Sequence, residues 1–353
     1  MRVYFFTLII VVMTSVLAQL CGFNRKLLNR TSHNSFFVFL TGVVLIGVAG
    51  CRWLVGTDYW QYAVNYSRYV TSWWVDLKSF DEPGLKLIAK LSSVIYNDYA
   101  TMFLLSSVLT VGLSVRTIAR KSDMFTFSIL LYIFIGAWHG SFNGVRQYLA
   151  CSVIFAGHQY IIDRKLKHYL LTVLVASLFH VSALSMVALY FIPMKKLEGK
   201  ELFLLVSTSL VFLYSSEYVL RVIEVYFRKN TSTLFAQREV NVWRIVVQIA
   251  PLVIYSLLTD KSKLGKSDMF YVNMLFVNAA LSVATSGSAY LARFPIYTGI
   301  FSTLGYPRLV NYDDKNLRAL VVVTILAFYS MYWYIEVSGS ANLNDFRWIF
   351  NRV

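Results

Sequence analysis

The order of apolar and polar residues predicts a protein that crosses a membrane many times. Apolar stretches recur along the whole chain, and a helix of about 20 residues, rising about 1.5 Å per residue, crosses roughly 30 Å of hydrocarbon. The pattern leaves no long soluble segment between them. The predicted spans are residues 3–20, 36–53, 99–116, 124–140, 146–162, 201–217, 243–259, 269–288, 294–310 and 319–336.

The apolar segment 169–193 allows two interpretations. It forms either one helix or two half-helices hinged near His180, Val181 and Ser182. If it re-enters and returns to the same side, every basic cluster between the spans lies in the cytoplasm, as the positive-inside bias predicts. We therefore predict a re-entrant or broken helix pair here. The basic clusters are Arg25/Lys26/Arg30, Arg116/Arg120/Lys121, Arg164/Lys165/Lys167, Lys195/Lys196/Lys200, Lys261/Lys263/Lys266 and Arg308/Lys315/Arg318.

Composition supports the membrane class. Of 353 residues, 57% are hydrophobic and 14% charged, against roughly 45–50% and 25% in soluble domains. The net charge of +15 resides in the basic clusters, so it indicates membrane topology and not nucleic-acid binding. We predict an all-α polytopic membrane protein of about 10–12 transmembrane helices. It forms a single transmembrane domain over residues 1–353, with external loops at about 51–98 and 217–242.

The first of these loops carries candidate chemistry. Arg52 lies at the edge of an apolar span, where a charge needs a partner or a wet cavity. It either pairs with Asp58 or faces a ligand. Tyr59 and Tyr62 either stack on sugar rings or belong to an interfacial aromatic belt. Glu82, further along the loop, is a second acidic candidate.

A sharper constellation precedes the span 146–162. Asn143 is a suitable N-cap, so the free N–H groups of the helix would point outwards beside the guanidinium of Arg146. A helix terminus with directed donors and an arginine fork fits a phosphate or diphosphate. The amide of Gln147 and the permissive Gly144 favour anion binding over an arginine that only reaches lipid headgroups.

Two further candidates lie in later apolar segments. His180 is an ionisable residue within an apolar stretch, so it either takes a proton from a hydroxyl or is a structural hinge residue. Arg293, followed by Tyr297, is another arginine at the outer face and could share a diphosphate with Arg52. The three cysteines and the other four histidines lack metal-ligand spacing. Because there is also no external D-x-D and no Gly-rich phosphate loop, we predict neither a metal nor a cofactor.

These motifs resemble the EpsG family of bacterial extracellular polysaccharide polymerases, which includes many O-antigen polymerases of the Wzy type. The resemblance runs over most of the chain, in the family's order. The matching pieces are Gly56-Thr57-Asp58-Tyr59 with Tyr62, Glu82-Pro83-Gly84, Asn143-Gly144-Val145-Arg146-Gln147 with Ala150, His180-Val181-Ser182-Ala183, and Arg293 with Tyr297.

The resemblance implies a glycosyltransferase that joins oligosaccharide repeat units carried on undecaprenyl diphosphate. It would act on the periplasmic face of the bacterial inner membrane, with a GT-C-like membrane architecture, among membrane lipids and beside a chain-length regulator. The predicted roles are diphosphate binding by Arg146 with Arg52 or Arg293, supported by Asn143 and Gln147. The acceptor hydroxyl would lose its proton to His180, or else to Asp58 or Glu82. Sugars would contact Tyr59, Tyr62 and Tyr297.

Three other activities remain open. A flippase for the same lipid-linked oligosaccharide would also use intramembrane arginines, but it would favour repeated halves, of which the chain shows none. An O-antigen ligase would share the donor and the chemistry. A membrane acyltransferase would use His180 as base and give the arginines another role.

Overall fold

A computed structural model of the protein describes residues 1–25, 30–72, 82–227, 242–288 and 291–352. Helices form most of it, and two short antiparallel strand pairs complete it. The α-helices are α1 Arg2–Leu20, α2 Ser35–Gly50, α3 Tyr59–Val64, α4 Tyr66–Thr71, α5 Pro83–Ile95, α6 Tyr99–Lys121, α7 Phe125–Phe134, α8 Ala137–Gly140, α9 Val145–Gly157, α10 Gln159–Ile162, α11 Leu166–Ser177, α12 Gly199–Phe227, α13 Val242–Leu257, α14 Lys266–Thr285, α15 Pro295–Gly299, α16 Ser302–Leu309, α17 Lys315–Gly339 and α18 Ala341–Asn344. The strands are β1 Phe23–Arg25, β2 Arg30–Ser32, β3 Arg52–Trp53 and β4 Arg347–Trp348; 3₁₀ segments cover Val181–Phe191, Lys261–Lys263, Leu291–Arg293 and Ile349–Asn351.

The predicted fold class is confirmed. Four helices within the described ranges, α1, α6, α14 and α17, are long and apolar enough to cross a membrane. Further apolar helices, among them α2, α7 and α11, are shorter. The protein is therefore an all-α, multi-pass membrane protein.

The sequence predicts one membrane domain, and the contacts group the chain into two compact units. The first comprises residues 1–190 and 322–353, and the second comprises residues 191–321. In the first unit α6 packs against α2, α5 and α9. Its buried face is rich in small hydroxyl residues, among them Ser106, Thr110 and Ser114. Small side chains allow helices to approach closely without a hydrophobic driving force in lipid.

Two predicted spans are broken in the first unit. The span 124–140 ends as α7 at Phe134 and resumes as α8, because Gly136 adopts a left-handed φ of +86° that an α-helix cannot contain. The span 146–162 is divided between α9 and α10 at His158, whose Nδ1 lies 2.5 Å from the carbonyl oxygen of Phe155. The sequence predicted these apolar segments but not their interruptions.

The segment 166–191 is a hairpin of two helical halves. α11 ends at Ser177, and a 3₁₀ segment begins at Val181. The two far ends lie side by side, since Tyr169 Oη donates to the carbonyl oxygen of Met186 at 2.6 Å and the rings of Tyr169 and Tyr190 stack at 6.1 Å. This confirms the predicted broken helix pair, with His180 at its tip.

The C-terminal segment returns to the loop that follows α2. β4 pairs antiparallel with β3, in the register Arg52 opposite Trp348. The N–H of Ile349 donates to the carbonyl oxygen of Cys51 at 2.8 Å, and that of Gly56 to Asn342 at 3.0 Å. Residues 341–352 therefore hold the start of the predicted external loop 51–98.

The second unit is built on α14, which packs against α12, α13 and α16. The predicted span 294–310 is divided here into α15 and α16. Thr298 Oγ1 donates to Asn278 Oδ1 at 2.7 Å, so buried polar groups join this broken helix to α14. α12 extends to Phe227, into the predicted external loop 217–242, and residues 228–241 of that loop lie outside the described ranges.

Candidate active site

One carboxylate joins three of the predicted motifs. Oε1 of Glu82 lies 2.5 Å from Nδ1 of His180, and Oε2 lies 2.5 Å from Nη1 of Arg146. The Glu82 side chain is 8% exposed, whereas those of His180 and Arg146 are 28% and 41% exposed. A buried anion thus holds an imidazole and a guanidinium that both reach the surface of the first unit.

The sequence Glu82-Pro83-Gly84 explains how the carboxylate is placed. Glu82 has the extended backbone typical of a residue before proline, and Pro83 starts α5 at the position where a helix tolerates it best. Gly84 lies so close to the hairpin tip that a Cβ there would be 2.4 Å from the Phe179 ring and 2.9 Å from the carbonyl oxygen of Leu178. Only glycine allows α5 to begin this close to His180.

The same segment binds backbone groups that the hairpin tip exposes. The N–H of Gly84 donates to the carbonyl oxygen of Leu178 at 2.8 Å. Glu82 Oε1 also accepts the N–H of Val181 at 3.3 Å. Buried backbone groups at a helix break need such partners. The break and the start of α5 therefore stabilise each other, and the imidazole is fixed between them.

Arg146 lies in the first turn of α9. Its guanidinium carbon is 5.8 Å from the centre of the Tyr62 ring, at a distance suited to a cation–π contact. Its Nε–H has no hydrogen-bond acceptor among the described residues. That nitrogen is buried, and a buried unsatisfied donor costs about 1–3 kcal/mol.

The turn that leads into α9 is docked on the loop after α2. Asn143 Oδ1 accepts the N–H of Thr57 at 2.7 Å. Gly56 has a φ of +107°, and a Cβ there would lie 2.5 Å from the carbonyl oxygen of Phe142. The predicted N-cap role of Asn143 is wrong, because Gly144 occupies the N-cap position and the Asn143 oxygen is used by Thr57. The structure thus brings Gly56-Thr57 to Asn143, which lies close to Arg146 in sequence.

Arg52 is 2% exposed and its guanidinium donates to backbone carbonyls. The acceptors are Ala49, Val55 at 3.2 Å and Phe142 at 3.2 Å. The rings of Phe103 and Phe142 also lie 4.8 and 5.0 Å from its guanidinium carbon, whereas the described structure shows no pairing with Asp58. Arg52 therefore ties the end of α2 to the turn before α9, and a diphosphate could reach it only if these hydrogen bonds were given up.

The remaining predicted residues of the first unit surround this core. Asp58 is half-buried and accepts the Thr57 hydroxyl at 3.0 Å. Tyr59 is buried and stacks on Phe103, with ring centres 4.4 Å apart. Gln147 is also buried, at the first turn of α9. With Tyr62 buried as well, the tyrosine rings serve packing here, and sugar binding by them stays a prediction.

Two predicted residues belong to the second unit. Arg293 is exposed and ends the 3₁₀ turn Leu291–Arg293, directly before α15. Tyr297 is fully buried within α15. Their predicted roles toward a diphosphate and a sugar stay predictions.

Polar contacts that the sequence did not predict also join distant parts of the first unit. His139 Nε2 is 3.4 Å from Glu336 Oε2, between α8 and α17. Glu336 could have been found from the sequence, since it is a lone acid in the apolar stretch 319–336. Arg352 donates to both oxygens of Asp98, at 3.1 and 2.7 Å.

The electrostatics of Asp98 follow from its position before α6. Burial alone would raise its pKa, but hydrogen bonds from Arg352 and from the N–H of Ala100, with the positive charge of Arg352, outweigh it. The pKa of Asp98 is therefore below its usual value. Among the described side chains, no group of three or more His, Cys, Asp or Glu residues is arranged to hold a metal ion.

Together these observations define a multi-pass membrane protein with a site in which a guanidinium and an oriented imidazole share one carboxylate. A family model described as the EpsG family matches residues 35–349. Because the match covers nearly the whole chain, the protein belongs to the EpsG family, a Wzy-like polysaccharide polymerase family. This confirms the resemblance and supports a polysaccharide polymerase-type function. Comparison with curated proteins and with solved structures gave no match.

Proposed function

We propose that the protein is a glycosyltransferase that polymerises oligosaccharide repeat units from undecaprenyl-diphosphate-linked donors. The observation that supports this most strongly is the Glu82 carboxylate in contact with both Arg146 and His180. Transfer from a diphosphate-linked sugar needs a cation for the leaving group and a base for the acceptor hydroxyl. The site contains one of each, and both reach its surface.

Arg146 binds the diphosphate in this proposal. A guanidinium offers a planar fork of donors that matches phosphate oxygens, and its charge does not titrate. The 41% exposure of the side chain leaves it accessible to a ligand. As the bond to the sugar breaks, negative charge grows on the diphosphate, and Arg146 stabilises it.

His180 is the base in this proposal, and Glu82 is its positioning residue. With Nδ1–H donated to Glu82 Oε1, the lone pair of Nε2 is left for the acceptor. The acceptor oxygen bonds to the anomeric carbon of the donor while the anomeric carbon–oxygen bond to diphosphate breaks. That electron pair goes to the diphosphate, the hydroxyl proton goes to Nε2, and water then removes it.

The geometry supports a site on the face opposite the basic loops. From Val145 to Ile162 the chain rises about 27 Å at 1.5 Å per residue, and the basic turn Arg164-Lys165 follows. If that turn is cytoplasmic, Arg146 lies near the outer boundary of the membrane. We accordingly place the reaction at the periplasmic face of a bacterial inner membrane, among lipids, with a chain-length regulator as the expected partner.

The ladder of surface polysaccharide on a gel tests the function. A strain that lacks this gene should show single repeat units, and the wild-type gene should restore the ladder. An unchanged ladder in the deletion strain would overturn the proposal. Loss of even the single-unit band would favour a flippase, whereas unattached lipid-linked polymer in the same strain would favour a ligase.

A further inference from the structure

The two oxygens of Glu82 hold groups of different kinds. Oε1 accepts Nδ1–H of His180 and the N–H of Val181, while Oε2 faces Nη1 of Arg146. One negative charge is thus divided between a permanent cation and a ring that can titrate. Glu82, directly before α5, contacts the imidazole, and Arg146 from α9 contacts the other oxygen of the same carboxylate. The phenol of Tyr62 from α3 lies beneath Arg146.

The side chains of this site differ in how easily they can reorient. Glu82 is 8% exposed, and the contact of Gly84 with Leu178 fixes the backbone beside it. Arg146 is far more exposed and has a long stem, which reorients more easily than a carboxylate buried at a helix start. An arriving anion of higher charge would therefore draw Arg146 away and leave Glu82 with His180.

We infer that the diphosphate of the donor takes the guanidinium from Glu82 and so switches on the base. This inference rests on the proposed function. Without donor, Arg146 offsets the charge of Glu82. With donor bound, the full charge of the carboxylate acts on His180 and raises its affinity for a proton, as an uncompensated anion does. The acceptor hydroxyl is then activated only when a leaving group is in place.

Diphosphate binding is also linked thermodynamically to the contact between Glu82 and Arg146. Two ligands that compete for one group affect each other equally. If Glu82 holds Arg146 back from the diphosphate, removal of its charge should improve diphosphate binding although it impairs transfer. If the carboxylate were purely structural, its removal would weaken both diphosphate binding and transfer.

The test uses the full-length protein in detergent, with farnesyl diphosphate as a sugar-free probe. The rate at which diethylpyrocarbonate modifies His180, measured by peptide mass spectrometry against pH, gives the midpoint at which half of the ring is neutral. Farnesyl diphosphate should raise this midpoint by about one pH unit in the wild type. In Arg146→Gln the midpoint should already be raised and should not move with the probe.

Two variants distinguish a midpoint shift transmitted through Glu82 from a direct electrostatic effect of farnesyl diphosphate on the His180 ring. In Glu82→Gln, farnesyl diphosphate should not raise the midpoint. This variant should bind farnesyl diphosphate about tenfold more tightly than the wild type, as measured by calorimetry. Arg68→Gln, an exposed arginine of α4, should behave as the wild type. A midpoint that rises equally in Glu82→Gln would overturn the switch.

Calorimetry distinguishes failure of the inference from failure of the proposed function. If farnesyl diphosphate binds in an Arg146-dependent manner and the wild-type midpoint stays constant, the diphosphate site stands and the switch is contradicted. If the probe does not bind, or binds Arg146→Gln as well as the wild type, the diphosphate site itself is overturned, and the switch with it.

Discussion

Nδ1 of His180 lies 2.5 Å from Oε1 of Glu82, although 98 positions separate the two residues in the chain. The contact joins the tip of a helical hairpin to the first residue before α5. Arg146, at the start of α9, reaches the other oxygen of the same carboxylate. The start of α5, the start of α9 and the hairpin tip therefore converge, and each contributes one charged or titratable side chain to the site.

Replacement of Arg146 tests the cation. Arg146→Ala should reduce transfer by about 100- to 1000-fold at unchanged membrane level, since it removes an oriented charge from the leaving group. Arg146→Lys should restore part of the activity, because lysine keeps the charge and loses the fork. Polymer length on a gel measures both, with Arg68→Ala as the control. A wild-type ladder from Arg146→Ala would contradict the assignment.

Replacement of Gly84 tests the approach of α5 to the hairpin. Gly84→Ala should shorten the polymer, because its Cβ would meet the Phe179 ring and the Leu178 carbonyl and push Glu82 from His180. The matched control is Gly112→Ala in α6, where a Cβ meets nothing within 4 Å. Alanine there should favour the helix by up to about 1 kcal/mol. Equal ladders from the two variants would show that this close contact is not needed.

Replacement of Arg52 separates a positioning role from ligand binding. Arg52→Met should lower the melting temperature in detergent, because it leaves the carbonyls of Ala49, Val55 and Phe142 without their donor. A buried unsatisfied group costs about 1–3 kcal/mol. Arg68→Met, which removes an exposed arginine of α4, should change it little. An unaltered melting temperature with lost activity would instead place Arg52 on the substrate.

Acidification tests the contact between Asp98 and Arg352. Because the pKa of Asp98 is lowered in the folded protein, this carboxylate stabilises the fold above its unfolded pKa, near 3.9. That contribution is lost as the pH falls through the lower folded value. Hydrogen-exchange protection of residues 341–352 should therefore hold from pH 5 to 7 and fall below about pH 4. Asp98→Asn should lack the acid step, and a step of equal size in that variant would exclude Asp98 as its source.

Much of the fold could be predicted because it depends on local pattern. Long apolar runs predict the spans, and the basic clusters on either side of residues 169–193 favour a segment that returns. The interruption at Gly136 could not be read from hydropathy, since a glycine in an apolar run is equally compatible with a continuous helix. Gly157 directly precedes the split at His158, but it gave no decisive signal for the same reason.

The site was predictable only in part. Glu82 was predicted as an acid of the external loop, Arg146 from its place at a helix start, and His180 as an ionisable residue in an apolar stretch. Their mutual contact could not be predicted, because it depends on how three segments pack. Arg52 shows the limit most clearly: an arginine at a span edge suggested a ligand, and the structure supplies backbone carbonyls from two other turns. Asn143 is chemically suited to be an N-cap, but its side-chain oxygen accepts the N–H of Thr57 instead.

The most direct test of the central claim is transfer by the purified protein in liposomes that contain undecaprenyl-diphosphate-linked repeat units. Wild-type protein should form polymer and release undecaprenyl diphosphate. Arg146→Ala and His180→Ala, at matched amounts and with wild-type melting temperatures, should form almost none. Polymer formation at the wild-type rate by either variant would contradict the account that this guanidinium and this imidazole perform the reaction.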